Sequence, residues 1–503
     1  MKNIVDQIFD CSEVWQDQIL YTSRDGQATY AETRDAMLRI ASWLTKQHGV
    51  QAGERVAICL PVTITAVHVI LGILTAGASY LPLEFNGPLE RAAEILAGSG
   101  TRIFLTTEAM AKKFAHKPNI AEWTCIVTVD PDLSASSAAL SDFAPLTRPI
   151  ATDPDSIAAI FFTSGSTGEP KGVMMSYASM TDQCGIYARH IPLRSNDRLL
   201  MVAPLHYAAS LGIFFSLTAG CRSYLALAEE AMFAEVVGEI LERERITLWE
   251  AASTRLRLLA EGGSLATRDL SAIRFVMFYG EPLPIDSLRA VTDLFPKAQL
   301  QNTYAASEAF WMMRYLVPRP IPRDLEKVPI GKPREDYALF LCDPEGNEVA
   351  SGEVGEICVV GPVALVDYWK RPDLTAAARL NGIPNSYRTG DLARLGPDGN
   401  YYFAGRRDHQ VKIRGHRFEL GEIEAVIRSH ALVREAVAFL VAEEVQACVL
   451  AENRNGLIAE IRTICARRLP VFARPVRIIV MEKFPQLPSG KVDRMTLQKT
   501  NNA

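Results

Sequence analysis

Residues 161–172, FFTSGSTGEPKG, set the hydroxyls of Thr163, Ser164, Ser166 and Thr167 around Gly165 and Gly168, with Lys171 directly behind them. Such a loop offers a polyphosphate many backbone N–H groups, several hydroxyls and one cation. Its glycines let the backbone approach phosphate oxygens closely. The apolar run at 157–162 predicts a buried strand that opens into this exposed loop. The segment is not a Walker loop, because Ser166, Thr167, Gly168, Glu169, Pro170 and Lys171 follow Gly165 without the required spacing. It also lacks the GxGxxG dinucleotide pattern. Alone, it also reads as a flexible polar surface loop.

Further segments carry chemistry of the same kind. NTYAASE (302–308) sets the Tyr304 ring four residues before the Glu308 carboxylate. A ring can stack on a purine and a carboxylate can hold Mg²⁺ beside phosphate oxygens; an ordinary core tyrosine is the plain alternative. FYGEPLP (278–284) follows a strand-like run and could wall the other face of a base. YRTGD (387–391) ends on Asp391 in an expected turn, able to accept both ribose hydroxyls or simply to cap the turn. The charged stretch at 405–424 reads alone as a solvated linker, and Lys491 in LPSGKVDR (487–494) as a terminal surface lysine.

Those residues need a scaffold. With 503 residues, of which 48% are hydrophobic, the chain predicts several domains with sizeable cores. A net charge of −5 gives no sign of a nucleic-acid or anionic-membrane surface. The nine cysteines form no CxxC pair, which leaves zinc and redox readings unsupported and fits a reducing cytoplasm. Asp6, Asp10 and Glu13 argue against a signal peptide. The apolar stretch at 64–76 is too short to span a bilayer and reads as a buried helix before a short strand at 79–83.

Through about residue 400, strand-like runs at 56–60, 102–106, 157–162, 198–203, 223–227, 246–250 and 275–279 alternate with helical patterns, predicting α/β layering with largely parallel sheets. From 352 to 391 shorter β-rich runs broken by turn residues predict a small β subdomain. The last ninety or so residues mix helices (420–429, 457–468) and strands (436–441, 447–451, 476–481) as a small α+β domain, with a boundary near 406–408.

The order and joint presence of these segments resembles the adenylate-forming superfamily: acyl-CoA synthetases, nonribosomal-peptide adenylation domains, carrier-protein ligases and firefly-type luciferases. The resemblance runs from TYAET (29–33) and LTAGASYLPLE (74–84) to LPSGKVDR. It implies a large N-terminal core at 1–405, made of two layered α/β subdomains and a small β subdomain, and a small mobile α+β domain at 406–503. It implies that Thr163, Ser164, Gly165, Ser166, Thr167, Gly168 and Lys171 cradle the ATP phosphates. Tyr304 would stack on adenine opposite Gly280, Glu281 and Pro282, with Asn302 and Ser307 nearby. Glu308 would hold Mg²⁺, Asp391 the ribose, and Arg406 would lie near ribose and phosphates. Lys491 would bridge the acid's carboxylate and the α-phosphate. The small domain would then turn about Asp408, withdrawing Lys491 and bringing in the loop of Lys412 and Gly415 for a pantetheine thiol. Two departures stand out: Ala305-Ala306-Ser307 where the family has Gly-Pro-Thr or Gly-Met-Thr, and Asp367 where it has glycine.

Amino-acid-activating relatives carry an aspartate for the substrate α-amine; the matching residue here is Tyr207, which argues against an ordinary α-amino acid. The resemblance places His206, Tyr207, Ala208, Leu211, Glu250, Tyr279, Thr303, Trp311 and Met312 around the acid. Glu250 follows an apolar run, and a buried carboxylate needs a partner. That partner is either a substrate amine placed β or further from the carboxylate, or a structural arginine such as Arg255 or Arg257. An aryl acid is also open. The wording of RGHRFELGEIE and GKVDR is closer to carrier-protein-loading members than to CoA ligases. A phosphopantetheinyl carrier protein is therefore the expected acceptor, free CoA the alternative within the class, and a non-catalytic nucleotide binder the alternative outside it.

Overall fold

The structure is a computed structural model that describes residues 2–115, 125–129, 140, 142–164, 170–191, 193–262, 265, 267–361, 367–380, 383–407, 410–413, 416–441, 443–451, 455–485, 492 and 494–500. The chain forms two compact units.

The first unit takes Met1–Phe85, Gly100–Phe161 and Val173–Arg407. Its larger sheet has nine strands in the order Lys332–Pro333, Phe310–Leu316, Gln299–Ala306, Phe275–Tyr279, Leu248–Ala252, Arg198–Met201, Arg222–Leu225, Ile19–Ser23, Gly26–Thr29. The central pairs are parallel, and antiparallel hairpins close both edges. Strands covered by helices on both faces read as unbroken apolar runs, which is why 275–279 was legible to the residue. The run at 246–250 pairs two residues later than its composition suggests, as Leu248–Ala252.

A six-stranded sheet follows the order Cys125–Thr128, Ile103–Thr106, Arg55–Cys59, Ser79–Pro82, Ile157–Thr163, Lys171–Ser176. The apolar stretch is the buried helix Ile64–Thr75, capped by the Thr63 hydroxyl and connecting two parallel strands. Helix Tyr30–Gln47 crosses it at Gly72, where a Cβ would collide with the Ile40 side chain. His68 within it is buried against the Thr33 hydroxyl at 3.2 Å, and burial lowers its pKa to about 4. A third sheet, antiparallel, runs Ala338–Cys342, Val354–Val360, Ser386–Leu395, Tyr401–Arg406.

The second unit takes Asn86–Ser99, Phe162–Gly172 and Asp408–Ala503. It holds the sheet Val433–Val441, Glu444–Ala451, Arg477–Met481, the hairpin Gln410–Ile413 with His416–Glu419, and the helices Leu420–Arg428 and Leu457–Arg468. Helix Leu89–Ser99 joins them through two ion pairs, Arg91 with Glu422 and Glu94 with Arg468. Among the described residues no helix is long and apolar enough to cross a membrane.

One buried carboxylate fixes the strand starts of the large sheet. Asp197 precedes Arg198–Met201 and accepts from Arg274 Nε (2.8 Å), Thr247 Oγ1 (2.7 Å) and the Arg194 N–H (2.7 Å). Thr247 and Arg274 each stand directly before a neighbouring strand, so Asp197 sets the register of three strands at once. Burial raises its pKa, but the Arg274, Thr247 and Arg194 bonds outweigh it and hold the group below the usual carboxylate range. Asp197→Ala leaves Arg274 without its anion and is expected to destabilise the chain by about 3–5 kcal/mol. Urea denaturation checks this; a midpoint matching the parent's would remove the staple.

Candidate active site

Three of the expected nucleotide residues meet on one carboxylate. Tyr304, near the end of Gln299–Ala306, donates its hydroxyl to Asp391 Oδ2 at 2.5 Å, and Arg406 Nη1 pairs with Asp391 Oδ1. Asp391 and Arg406 face each other across the antiparallel pair of Ser386–Leu395 and Tyr401–Arg406. The expected turn at Asp391 is instead a kinked strand. Gly390 takes a left-handed φ of 75°, and its N–H goes to Glu356 Oε1 at 3.0 Å. Glu356 is itself buried and held by Arg388 (2.6 Å) and Arg407 (2.9 Å). Burial and the Asp391 charge raise the Tyr304 phenol well above its ordinary pKa, which keeps it a donor.

Glu308 sits at the tip of the hairpin that joins Gln299–Ala306 to Phe310–Leu316. The Ala309 N–H returns to the Ala306 carbonyl (3.3 Å), and Phe310 takes the left-handed backbone, φ 46°. Ala305 and Ala306 are ordinary strand residues, so alanine costs no backbone strain where the family has glycine or proline. The Glu308 carboxylate is buried and accepts the Tyr368 hydroxyl on Oε1 at 2.8 Å. Among the described residues no group of three His, Cys, Asp or Glu side chains could cage a metal. A single hard carboxylate oxygen is nonetheless the donor that Mg²⁺ takes when phosphates and water supply the rest. Asn302 gives its amide to the Pro329 carbonyl at 2.7 Å. The Gly280–Pro282 turn begins with Gly280 at φ 101° and open space at its Cβ position, and Glu281 accepts the Thr254 hydroxyl. Ser307 follows the end of Gln299–Ala306.

Of the residues expected around the acid, Tyr279 ends its parallel strand, Glu250 lies mid-strand, Thr303, Trp311 and Met312 lie on the adjoining hairpin, and His206, Tyr207, Ala208 and Leu211 follow Arg198–Met201. The His206 and Tyr207 rings lie 4.2 Å apart before the short 3₁₀ helix Ala208–Phe214. Leu211 and Met312 are sealed in the core and Thr303 accepts the Gln301 amide at 3.0 Å. Trp311 is buried with no hydrogen bond on its indole nitrogen among the described residues, and Arg334 holds the Trp311 carbonyl at 3.0 Å.

Glu250, in the middle of Leu248–Ala252, is the unusual member. Its Oε1 is buried without a hydrogen-bond partner among the described residues. Arg255 instead reaches the Ala231 carbonyl and Arg257 lies 3.8 Å from Glu261, so neither expected arginine supplies the counter-charge. Burial pushes the carboxyl up to about 7, opposed by a hydrogen bond from the Tyr187 hydroxyl. Burial and then Glu250 raise both the Tyr187 and Tyr279 phenols. Sequence reasoning missed Tyr187, which stacks on Phe215 at 3.8 Å, because on helix Tyr177–His190 it reads as ordinary core.

In the second unit, Thr163 Oγ1 lies 3.5 Å from the Lys171 carbonyl, Ser164 is buried with no partner on its hydroxyl among the described residues, and Lys412 pairs in register with Arg417. Gly165, Ser166, Thr167, Gly168, Asp408, Gly415 and Lys491 lie outside the described residues.

The Glu250 shift has a sign that stability measurements can read. In the unfolded chain the carboxyl ionises near its ordinary 4.5, whereas in the fold it keeps its proton to about 7. The folded state therefore loses stability as pH rises between those values, by on the order of 3 kcal/mol. Glu250→Gln is expected to flatten that slope and to be the more stable protein above pH 7. Parallel stability–pH curves for the two proteins would refute a raised Glu250.

Comparison with known proteins agrees with this geometry. The family "AMP-binding enzyme" matches residues 9–369, and "AMP-binding enzyme C-terminal domain" matches 422–491. An L-proline–[L-prolyl-carrier protein] ligase of Pseudomonas fluorescens is 28% identical over 457 residues, 90% of this chain and 90% of that protein. A dimodular nonribosomal peptide synthase of Bacillus subtilis is 30% identical over 94% of this chain, which spans 20% of that protein's length. The amide bond synthetase McbA of Marinactinospora thermotolerans shares the fold, with a TM-score of 0.88, 24% identity and coverage of 99% of this chain and 100% of that one. With the Tyr304–Asp391–Arg406 cluster and the buried Glu308 in place, the match across most of its length shows that the chain belongs to the AMP-binding, adenylate-forming enzyme family.

Proposed function

We propose that this protein activates a carboxylic acid with ATP and passes the acyl group to the phosphopantetheine thiol of a carrier protein. In the first step a carboxylate oxygen bonds to the α-phosphorus and the bond to pyrophosphate breaks, leaving acyl-AMP. In the second, the thiol sulfur bonds to the acyl carbon, AMP leaves and the thiol proton passes to solvent. The observation that carries the reading is the convergence of Tyr304 and Arg406, 87 and 15 residues away in sequence, on the part-buried Asp391 carboxylate. A ring, two acceptor oxygens and a guanidinium so grouped suit the adenine, ribose and phosphate of one nucleotide.

The remaining roles follow the same chemistry. Thr163, Ser164, the loop Gly165–Gly168 and Lys171 hold the phosphates, and Gly280, Glu281 and Pro282 face the base. Glu308 binds Mg²⁺, which supplies positive charge to the phosphoryl oxygens when bound. Lys491 meets the attacking carboxylate and the α-phosphate, where two anions must approach. The domain at 406–503 turns about Asp408 between the steps, bringing in Lys412 and Gly415.

For the substrate, Tyr207 in place of an aspartate and Glu250 without an arginine support an acid whose amine lies β to the carboxylate or further away. That ammonium would be the counter-charge Glu250 lacks. A carrier protein as acceptor is supported by the Pseudomonas ligase, which this chain matches over nearly its whole length. Free CoA remains the acceptor to test against it.

Pyrophosphate exchange over amino, aryl and aliphatic acids, followed by carrier protein and CoA as acceptors, tests the reading. Exchange with an amine-bearing acid is expected, and ATP that never yields AMP with any acid would overturn activation itself. Lys491→Ala is expected to lower acyl-AMP formation by about two to three orders of magnitude with ATP binding retained. Full turnover in that variant would reject the lysine. Glu250→Ala should cost the amine-bearing acid about a hundredfold in kcat/KM while sparing a neutral acid of similar shape, because it removes one partner of a buried charge pair. An equal effect on both acids would reject the amine.

A further inference from the structure

We propose that Arg494 is a positioning residue for Lys491: its guanidinium, seated on Glu424, fixes the stretch of backbone that carries the lysine, so that the amine is delivered to the reacting carboxylate and phosphate at one defined place. The inference rests on the reading of Lys491 given above.

The seat is a two-pronged, charge-assisted bond. Arg494 Nη1 donates to Glu424 Oε1 at 2.6 Å and Nη2 donates to Oε2 at 3.0 Å, the fork that a guanidinium offers a carboxylate and an ammonium does not. Glu424 is buried on helix Leu420–Arg428, and its Oε1 also accepts the Ala438 N–H at 2.9 Å. Arg494 Nη1 reaches the Ala438 carbonyl at 3.3 Å. The pair therefore takes both backbone groups of one residue on Val433–Val441, the outer strand of its three-stranded sheet. Residues two apart turn their backbone groups to the same edge of a strand, and the neighbouring carbonyls on that edge are taken as well. Arg428 reaches the Ala436 carbonyl at 3.5 Å and Gln498 the Leu440 carbonyl at 2.6 Å. Side chains from two helices, Leu420–Arg428 and Arg494–Thr500, thus cover an edge that would otherwise lie open.

This arrangement bears on Lys491 through the covalent chain. Lys491 stands three residues before Arg494, so the chain keeps their Cα atoms within about 11 Å of each other. Val492, the residue after Lys491, packs against the cluster of Val437, Phe439, Cys448, Phe484 and Leu497, and its carbonyl accepts the Arg494 N–H at 3.2 Å. Packing gives that stretch a place, and the Glu424 fork gives it a direction. The same glutamate ties it to the hairpin that carries Lys412. Helix Leu420–Arg428 begins directly after strand His416–Glu419, and Ile413, Phe418, Leu420 and Ile423 share one core. One ion pair thus links the element proposed for the first half-reaction to the element proposed for the second. Only the first depends on the amine, and a misplacement of about 1 Å there can cost about a hundredfold in rate.

The test is Arg494→Gln in the full chain, measured beside Arg494→Lys, Lys491→Ala and the variant carrying both Arg494→Gln and Lys491→Ala. Two rates are read. The first is acyl-AMP formation from ATP and the acid that gives the fastest pyrophosphate exchange. The second is transfer from the supplied acyl-AMP to pantetheine, which does not use Lys491. Arg494→Gln is expected to lower kcat for the first about ten- to a hundredfold, with the second rate and the KM for ATP changed less than about twofold. Arg494→Lys keeps the charge but loses the fork, so its first rate should fall between the two; it carries the test if the glutamine variant does not fold. In the Lys491→Ala background, Arg494→Gln should cost acyl-AMP formation nothing further. Equal losses in both rates overturn the proposal, because they show a loosened domain and no more. An unchanged first rate, or a loss that adds to that of Lys491→Ala, overturns it too. If Lys491→Ala forms acyl-AMP at the parent's rate, the reading of Lys491 falls, and this inference with it.

Discussion

A carboxylate taken out of water must find donors to replace it, and in this protein Asp391 meets that need with groups from two different sheets. Tyr304 comes from the nine-stranded sheet and Arg406 from the antiparallel one. The same bonds that satisfy the aspartate join the two sheets and place a ring, a carboxylate and a guanidinium within one nucleotide's width. Stability and site geometry are one arrangement here. Losing any of the three leaves a charge or a phenol stranded.

The rest of the first unit works to hold that arrangement in register. Asp197 locks the starts of three parallel strands, which carry Glu250 and Tyr279 and lead to Tyr207. Glu356 holds Arg388 and the Gly390 N–H, so the kink before Asp391 is fixed from below. Side chains alternate faces along a strand, so an error of one residue at the strand starts would turn each of those side chains to the other face.

How much of this was readable depended on the range of the interactions. Helix Leu457–Arg468 and strand Phe275–Tyr279 are legible to the residue because local pattern marks them, a helical pattern in one and an unbroken apolar run in the other. The hairpin around Glu308 was not, since NTYAASE has no alternation and its pairing is settled by Trp311 and Met313 across the turn. The Asp391 strand looked like a turn because Gly390 and Asp391 are turn residues by composition, and only Glu356, distant in sequence, makes the kink part of a ladder. Motif order gave the candidate nucleotide residues. The groups bonded to Glu308, Trp311 and Glu250, namely Tyr368, Arg334 and Tyr187, read as core, because an aromatic or a paired arginine on an apolar face has no local mark of what it touches.

The buried acids divide by what balances them. Asp197 has Arg274, Glu356 has Arg388 and Arg407, Asp391 has Arg406, Glu422 has Arg91 and Glu424 has Arg494. Glu250 has a phenol, as do Glu308 and Glu230, and Arg255 and Arg257 are engaged elsewhere. A fold that pairs the acids named first with guanidinium could have done the same here at little cost, or placed a glutamine. Burying an ionisable carboxyl without a cation in a central strand costs stability as pH rises above the carboxyl's ordinary pKa. The group is worth that cost where a cation arrives with the ligand: the ammonium supplies the missing charge, lowers the pKa and turns an unfavourable burial into a buried pair. A neutral acid in the same place would leave the carboxyl protonated and gain only a hydrogen bond. If Glu250 meets the ligand as proposed, the discrimination between those two ligands is set by one proton, and it widens as the pH rises past the point where the empty site lets that proton go.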